Sequence, residues 1–136
     1  MKILGVDFGD SRTGYAISDA LGFGASVLEA FRCTNIETVA EHTAELAKSL
    51  SAEKIVLGYP KNMNGSLGPR AEKTKLFSEL IGEFCDIPVI LWDERLTTVS
   101  AHNLMNETNV RGKKRKDSVD SISAAYLLQS YLDSCR

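Results

Sequence analysis

The stretch Lys2-Ile3-Leu4-Gly5-Val6-Asp7-Phe8-Gly9-Asp10-Ser11-Arg12-Thr13-Gly14-Tyr15-Ala16-Ile17-Ser18 decides the fold. Lys2–Val6 reads as a short apolar strand, and Gly14–Ser18 as a second strand after a turn rich in Gly, Asp and Ser. A third strand-like segment, Ala25–Phe31, follows Gly22-Phe23-Gly24. Strands this close together predict an antiparallel meander. Alternation within the first strand puts Ile3, Gly5 and Asp7 on one face and Leu4, Val6 and Phe8 on the other. Asp7 then closes the strand at its C-terminal end, where open α/β sheets present their sites.

Outward from that meander the period changes. Ile36, Val39, Ala40, Thr43, Leu46, Ala47 and Leu50 recur at helical spacing, and Thr34-x-x-Glu37 ahead of them is a capping-box pattern. Lys54–Gly58 is a β-branched strand that Tyr59-Pro60 ends, since proline cannot extend a central ladder. The polar loop Lys61–Gly68 contains the turn dipeptide Asn64-Gly65. Pro69 fits the first turn of a second helix with the apolar face Phe77, Leu80, Ile81 and Phe84. Pro88–Trp92 is a further strand. Leu96–Met105 is a short amphipathic helix, Asn106–Lys116 is a loop without apolar periodicity, and Asp117–Leu132 is the last helix. The order β-β-β-α-β-α-β-α-α predicts an α/β fold: a mixed five-stranded sheet with helices on its faces.

Composition agrees with one soluble domain over residues 1–136. The chain has 136 residues, 43% hydrophobic and 25% charged, which is too apolar for disorder and long enough for a core. Sixteen Lys+Arg against eighteen Asp+Glu give a net charge of −2. That balance does not announce a nucleic-acid binder, but a phosphate backbone responds to local charge. No apolar run approaches the ~18–20 residues that span a bilayer. The N-terminus reaches Asp7 after a few apolar residues, which is unlike a signal peptide. Cys33, Cys85 and Cys135 form no CxxC pair, and His42 and His102 have no ligand-like spacing to them. A zinc site or disulfide framework is not expected, and a reducing cytoplasm is.

Three sets of carboxylates carry the chemistry. Asp7 is either a turn aspartate or a ligand at a strand end. Asp93 and Glu94, within Trp92-Asp93-Glu94-Arg95, end a buried strand and alternate in direction, so at most one of them aims at a given site. Arg95 is either their ion-pair partner or a phosphate fork. Asp117 and Asp120 lie three apart on one helix face that Ala124 continues. Asp117 is a good N-cap. Asp120 opens a face of small residues (Ser121, Ala124, Ala125) that lets a helix approach a sheet closely. Carboxylates converging without His or Cys make the oxygen-only ligand set of Mg²⁺ or Mn²⁺. Two such ions, about 3.5–4 Å apart, drive in-line phosphodiester hydrolysis.

Cationic groups flank these acids. The glycine-bracketed turn Gly9–Gly14 offers backbone N–H groups and Arg12 to a phosphate, or is simply a hairpin turn. Lys61 and Ser66 are candidate phosphate contacts in the second loop. Arg111-Gly112-Lys113-Lys114-Arg115-Lys116 carries five positive charges in six residues, directly before the last helix. A basic arm beside an acidic metal site neutralises the phosphates next to the scissile one. Aromatic residues are 7% of the chain, so no base-stacking platform is expected.

The blocks Asp7-x-Gly9-x-x-Arg12-x-Gly14-x-Ala16-x-Ser18-Asp19, Gly58-x-Pro60 through Asn64-Gly65-Ser66, Asp93-Glu94-Arg95-Leu96-Thr97-Thr98, and Lys116-x-x-x-Asp120-Ser121-x-x-Ala124-Ala125 resemble the YqgF/RuvX family of bacterial RNase H-like proteins. The resemblance spans nearly the whole chain. It implies an RNase H-like fold with sheet order 3-2-1-4-5 and a metal-dependent nuclease activity, using Mg²⁺ or Mn²⁺. The substrate it implies is structured RNA in 5′-end maturation of pre-16S ribosomal RNA or, by likeness to RuvC, branched DNA at a Holliday junction. Carried over by motif, the catalytic acids are Asp7, Glu94 and Asp120, with Asp117 as an extra acid one turn earlier. Many RNase H-like nucleases place an acid at the end of strand four. Here that end is Gly58-Tyr59-Pro60, and the acid comes from Asp93 or Glu94, one strand farther out.

Two other classes compete. Asp7-x-Gly9 resembles the first phosphate loop of actin/Hsp70/sugar-kinase ATP-binding domains, which close two such domains on a nucleotide. A non-catalytic RNA- or ribosome-binding module needs the basic block but not Asp7. The expected partners are precursor RNA or branched DNA and ribosomal precursor particles, with no membrane, for a monomer or weak homodimer.

Overall fold

The computed structural model describes residues 2–19, 21, 24–59, 68–93 and 112–135, the side chains of 112–120 excepted. In chain order the elements are β1 Ile3–Asp7, β2 Arg12–Ser18, β3 Ala25–Val27, β4 Phe31–Arg32, α1 Ile36–Ser49, β5 Lys54–Tyr59, α2 Pro69–Phe84, β6 Val89–Asp93 and α3 Gly112–Ser134. The sheet runs β3-β2-β1-β5-β6, and β4 pairs with β2. β1 and β3 are antiparallel to β2, whereas β5 is parallel to β1 and β6 to β5. This is the order expected from the sequence, with the expected third strand broken in two.

The register explains the break. Ala16 faces Val27 and Thr13 faces Phe31, so four steps along one side oppose three along the other. One extra residue is a β-bulge, which bends an edge strand and interrupts its ladder. Hydrophobic alternation in Ala25–Phe31 carries no sign of the insertion.

The pleat sorts the strands into two layers. Leu4, Val6, Phe8, Tyr15, Ile55 and Leu57 pack beneath α1 and α2 with Val39, Ala44, Phe77 and Ile81. Ile3, Ala16 and Val56 pack on the other side with Ala124, Leu127, Leu128, Tyr131 and Leu132 of α3. Gly5 is where α3 meets β1. A Cβ there would lie 2.8 Å from Leu128 Cβ and 3.0 Å from the Ala124 carbonyl oxygen. Only a residue without a side chain lets the helix lie this close to the strand.

Two helix starts differ from the sequence expectation. The cap of α1 is Asn35, whose Oδ1 accepts a 3.0 Å bond from Thr38 N, rather than the Thr34 box. Asparagine is at least as good a cap as threonine, and it sits one residue closer to the apolar run. α3 begins at Gly112, so Lys113–Lys116 belong to the helix and not to a loop, and Asp117 is inside it rather than at its N-cap. Lysine and arginine are good helix formers even where no apolar stripe marks them. The expected helix Leu96–Met105 lies outside the described residues. Among the described residues, no helix is long and apolar enough to cross a membrane.

Candidate active site

Asp7, Tyr59 and Asp93 are the last residues of β1, β5 and β6, strands that run in the same direction. They mark the C-terminal edge of the parallel part of the sheet. Asp7 is half-buried and shares its face with Ile3 and Gly5, the face that α3 covers. Asp7 stands opposite Gly14 on β2. Arg12, one pleat beyond Gly14, falls on the same face, and Arg32 lies directly opposite Arg12. The register thus places two arginines and Asp7 on one face of the sheet. The sequence reading named Arg12 but missed Arg32, whose place depends on the bulge.

Asp93 goes the other way. Ile90 and Trp92 pack with the α3 layer, whereas Val89 and Leu91 pack with the α1–α2 layer. The pleat therefore assigns Asp93 to the α1–α2 face, away from Asp7.

The turn after β1 is held from the α2 side. A side chain at position 9 would collide with the Arg12 carbonyl oxygen, so this tight return requires Gly9. Phe8 stacks on Phe77 with ring centroids 4.2 Å apart. Arg70 Nη2 donates a 2.8 Å bond to the Phe8 carbonyl, and Arg70 Nη1 lies 3.3 Å from Asp10 Oδ2. Lys73 Nζ donates to Asp10 Oδ1 at 3.0 Å. The Lys73 hydrogen bond, then the Arg70 charge, hold the Asp10 carboxyl below its usual range. The sequence reading missed Arg70, Lys73 and Asp10. The available signal was a pair of cations three residues apart in the first turns of a helix starting at Pro69.

On α3, Ser121 is 1% exposed, and its Oγ has no hydrogen-bond partner among the described residues. Asp120 precedes it, one turn before Ala124, and Asp117 lies a turn earlier still on the helix backbone. The side chains of Asp117 and Asp120, and of Lys113, Lys114, Arg115 and Lys116, lie outside the described residues, as do Lys61, Ser66, Glu94, Arg95 and Arg111 altogether. Among the described residues, no three His, Cys, Asp or Glu side chains gather closely enough to hold a metal ion. His42 is committed elsewhere: it stacks on Phe31 at 3.9 Å on the α1 side of the sheet. Among the described residues, the oxygen donors on the α3 side include the half-buried Asp7 carboxylate and the buried, unpartnered Ser121 hydroxyl. Oxygen donors suit a hard divalent cation.

Comparison with known proteins agrees with this architecture. A family model described as "RuvX: Holliday junction resolvase" matches residues 1–134. Similar proteins include one of Ruminiclostridium cellulolyticum, 46% identical over 134 residues (98% of this chain, 94% of the relative), and one of Acetivibrio thermocellus, 46% identical over 136 residues (98% and 96%). Both are named "Putative pre-16S rRNA nuclease". Among solved structures, RuvC of T. thermophilus in complex with a Holliday junction substrate superposes with a TM-score of 0.65 at 11% identity, covering 99% of this chain and 95% of that one. The Fowlpox virus resolvase bound to Holliday junction DNA gives 0.60 at 16% identity, with 99% of each chain covered. At such identities the likeness is one of fold, and that fold is RNase H-like. A match along almost the entire sequence, joined to this sheet order, shows that the chain belongs to the RuvX family.

Proposed function

We propose that this protein is a divalent-metal-dependent nuclease that hydrolyses phosphodiester bonds in structured RNA, acting in 5′-end maturation of pre-16S ribosomal RNA. The observation that carries the reading is Asp7: a half-buried carboxylate at the end of the central strand, on the face that α3 covers. Asp7, Glu94 and Asp120 are the catalytic acids and hold Mg²⁺ or Mn²⁺, with Asp117 as an additional ligand. Two supports favour Glu94 over Asp93. The pleat turns Asp93 to the opposite face, and the resemblance to the family assigns the role to Glu94. Asp120 starts the small-residue face through which α3 contacts β1 at Ala124.

Bound cations supply an activated water and charge neutralisation at the phosphate. The chain's own residues hold the acids in place and orient the nucleic acid. Gly5 lets α3 approach β1, and Gly9 lets the chain turn back beside Asp7. Arg12 contacts a phosphate oxygen near the scissile bond, and Arg95 is a second phosphate contact. Lys61, Ser66, Arg111, Lys113, Lys114, Arg115 and Lys116 contact other backbone phosphates, which positions the substrate without reading its sequence.

The relatives' names favour the ribosomal substrate, whereas the family description favours a branched DNA junction. Symmetrical cutting of a junction needs a twofold dimer. Cleavage of a pre-16S RNA fragment and of a four-way DNA junction, with Mg²⁺, Mn²⁺ or EDTA, tests both readings. Wild type should cleave the RNA only with a divalent ion, and Asp7→Asn should lose at least about a hundredfold in rate while still binding RNA. Activity that survives EDTA or Asp7→Asn would refute the metal mechanism.

A further inference from the structure

Arg70 and Lys73 stand out once the acids are accounted for. They project from the start of α2 onto one carboxylate, that of Asp10, and each takes a different oxygen: Oδ2 lies 3.3 Å from Arg70 Nη1 and Oδ1 3.0 Å from Lys73 Nζ. One oxyanion bridging two cations through its two oxygens is how a phosphodiester's two non-bridging oxygens are bound. Arg70 does not depend on Asp10 for its position. Its other terminal nitrogen donates to the Phe8 carbonyl at 2.8 Å, so the guanidinium stays fixed when the carboxylate leaves. Lys73 is steadied as well, with Nζ 5.8 Å from the Phe8 ring centre. The side chains of Asp10, Arg70 and Lys73 are 69%, 48% and 41% exposed, so the cluster is open to an incoming ligand and its ion pairs exchange readily.

Position supplies the rest. Phe8, which Arg70 holds, directly follows Asp7. The cation pair therefore lies at the same edge of the sheet as Asp7, on the α2 side. A nucleic-acid strand crossing that edge meets Asp7 on one side and the two cations on the other.

We propose that Arg70 and Lys73 form a binding site for a backbone phosphate and that the Asp10 carboxylate occupies this site in the free protein as an internal substitute for it. The identity of the ligand as nucleic acid rests on the nuclease reading; the cation pair and its carboxylate do not. Asp10 acts as a gate. A phosphate must displace it to bind, which restrains binding to stray polyanions and leaves one more carboxylate free in the complex.

The test is fluorescence anisotropy of a labelled RNA duplex and of a labelled four-way DNA junction, in EDTA so that binding is read without cleavage, over a series of salt concentrations. Asp10→Asn should tighten binding on the order of fivefold, the scale of one charge contact near a surface. Lys73→Gln should weaken binding and lower the slope of log K against log salt by about one unit. In an Arg70→Gln/Lys73→Gln background the gain from Asp10→Asn should vanish, and Lys73→Arg should bind as wild type does. A gain on either probe supports the site and names the nucleic acid that reaches it. Asp10→Asn with wild-type or weaker affinity on both probes overturns the proposal. So does a gain that persists in the Arg70→Gln/Lys73→Gln background, because it would then be a general charge effect. Neither result touches the cleavage test of Asp7, so the two readings fail separately.

Discussion

A missing Cβ at Gly5 sets how closely α3 lies on the central strand. Gly5→Val forces Leu128 and the Ala124 backbone away. It should cost about 1–3 kcal/mol, read as a lower urea midpoint, with a loss of activity beyond what the lost stability explains. His42 has a different role. Burial beneath Phe31 lowers its pKa from 6.5, with Glu45 opposing the shift. The folded pKa lies below the unfolded one, so the unfolded chain takes up the proton first as pH falls. Stability should therefore be flat above about pH 6.5 and decline below it. His42→Phe, which keeps the stacked ring, should flatten that limb in unfolding curves taken from pH 5 to 8. At this scale the sequence was readable where local geometry decides. The face of Asp7 followed from a period of two in a short strand. The Asp10–Lys73 contact did not follow, because it joins residues 63 apart in the chain and needs the packing of α2 on the sheet.

Among the elements, strands were legible because their ends carry Gly, Pro and Asp, whereas the interruption between β3 and β4 was not. A bulge is a mismatch between two strands, and neither strand records it alone. The start of α3 was not legible, because a basic helical turn has no apolar periodicity to mark it. With Lys113, Lys114, Arg115 and Lys116 on a helix, their backbone advances along its axis at about 1.5 Å per residue instead of running as an extended arm. Changing all four to Gln keeps helix propensity. It should leave far-UV circular dichroism unchanged, weaken RNA binding, and lower the salt slope by roughly three units. A slope equal to that of wild type would remove this segment from the interface.

For the whole molecule, the sheet acts as a partition that ends in a functional edge. α3 and Asp7 occupy one side, and α2 with Arg70, Lys73 and Asp10 the other. The order β3-β2-β1-β5-β6 was legible from the blocks of sequence and their resemblance to a family, since a meander followed by βα units leaves few right-handed arrangements. The face of Asp93 was not legible, because it turns on which layer Trp92 joins. Trp92 packs edge-on against Tyr131 of α3, which fixes the phase of β6. The central claim is that Asp7, Glu94 and Asp120 act as one cation site at this edge. Calorimetric titration with Mn²⁺ tests it most directly. Asp7→Asn, Glu94→Gln and Asp120→Asn should each weaken binding about tenfold or more, and Asp93→Asn should bind as wild type does. Wild-type affinity in Glu94→Gln and Asp120→Asn would contradict the account.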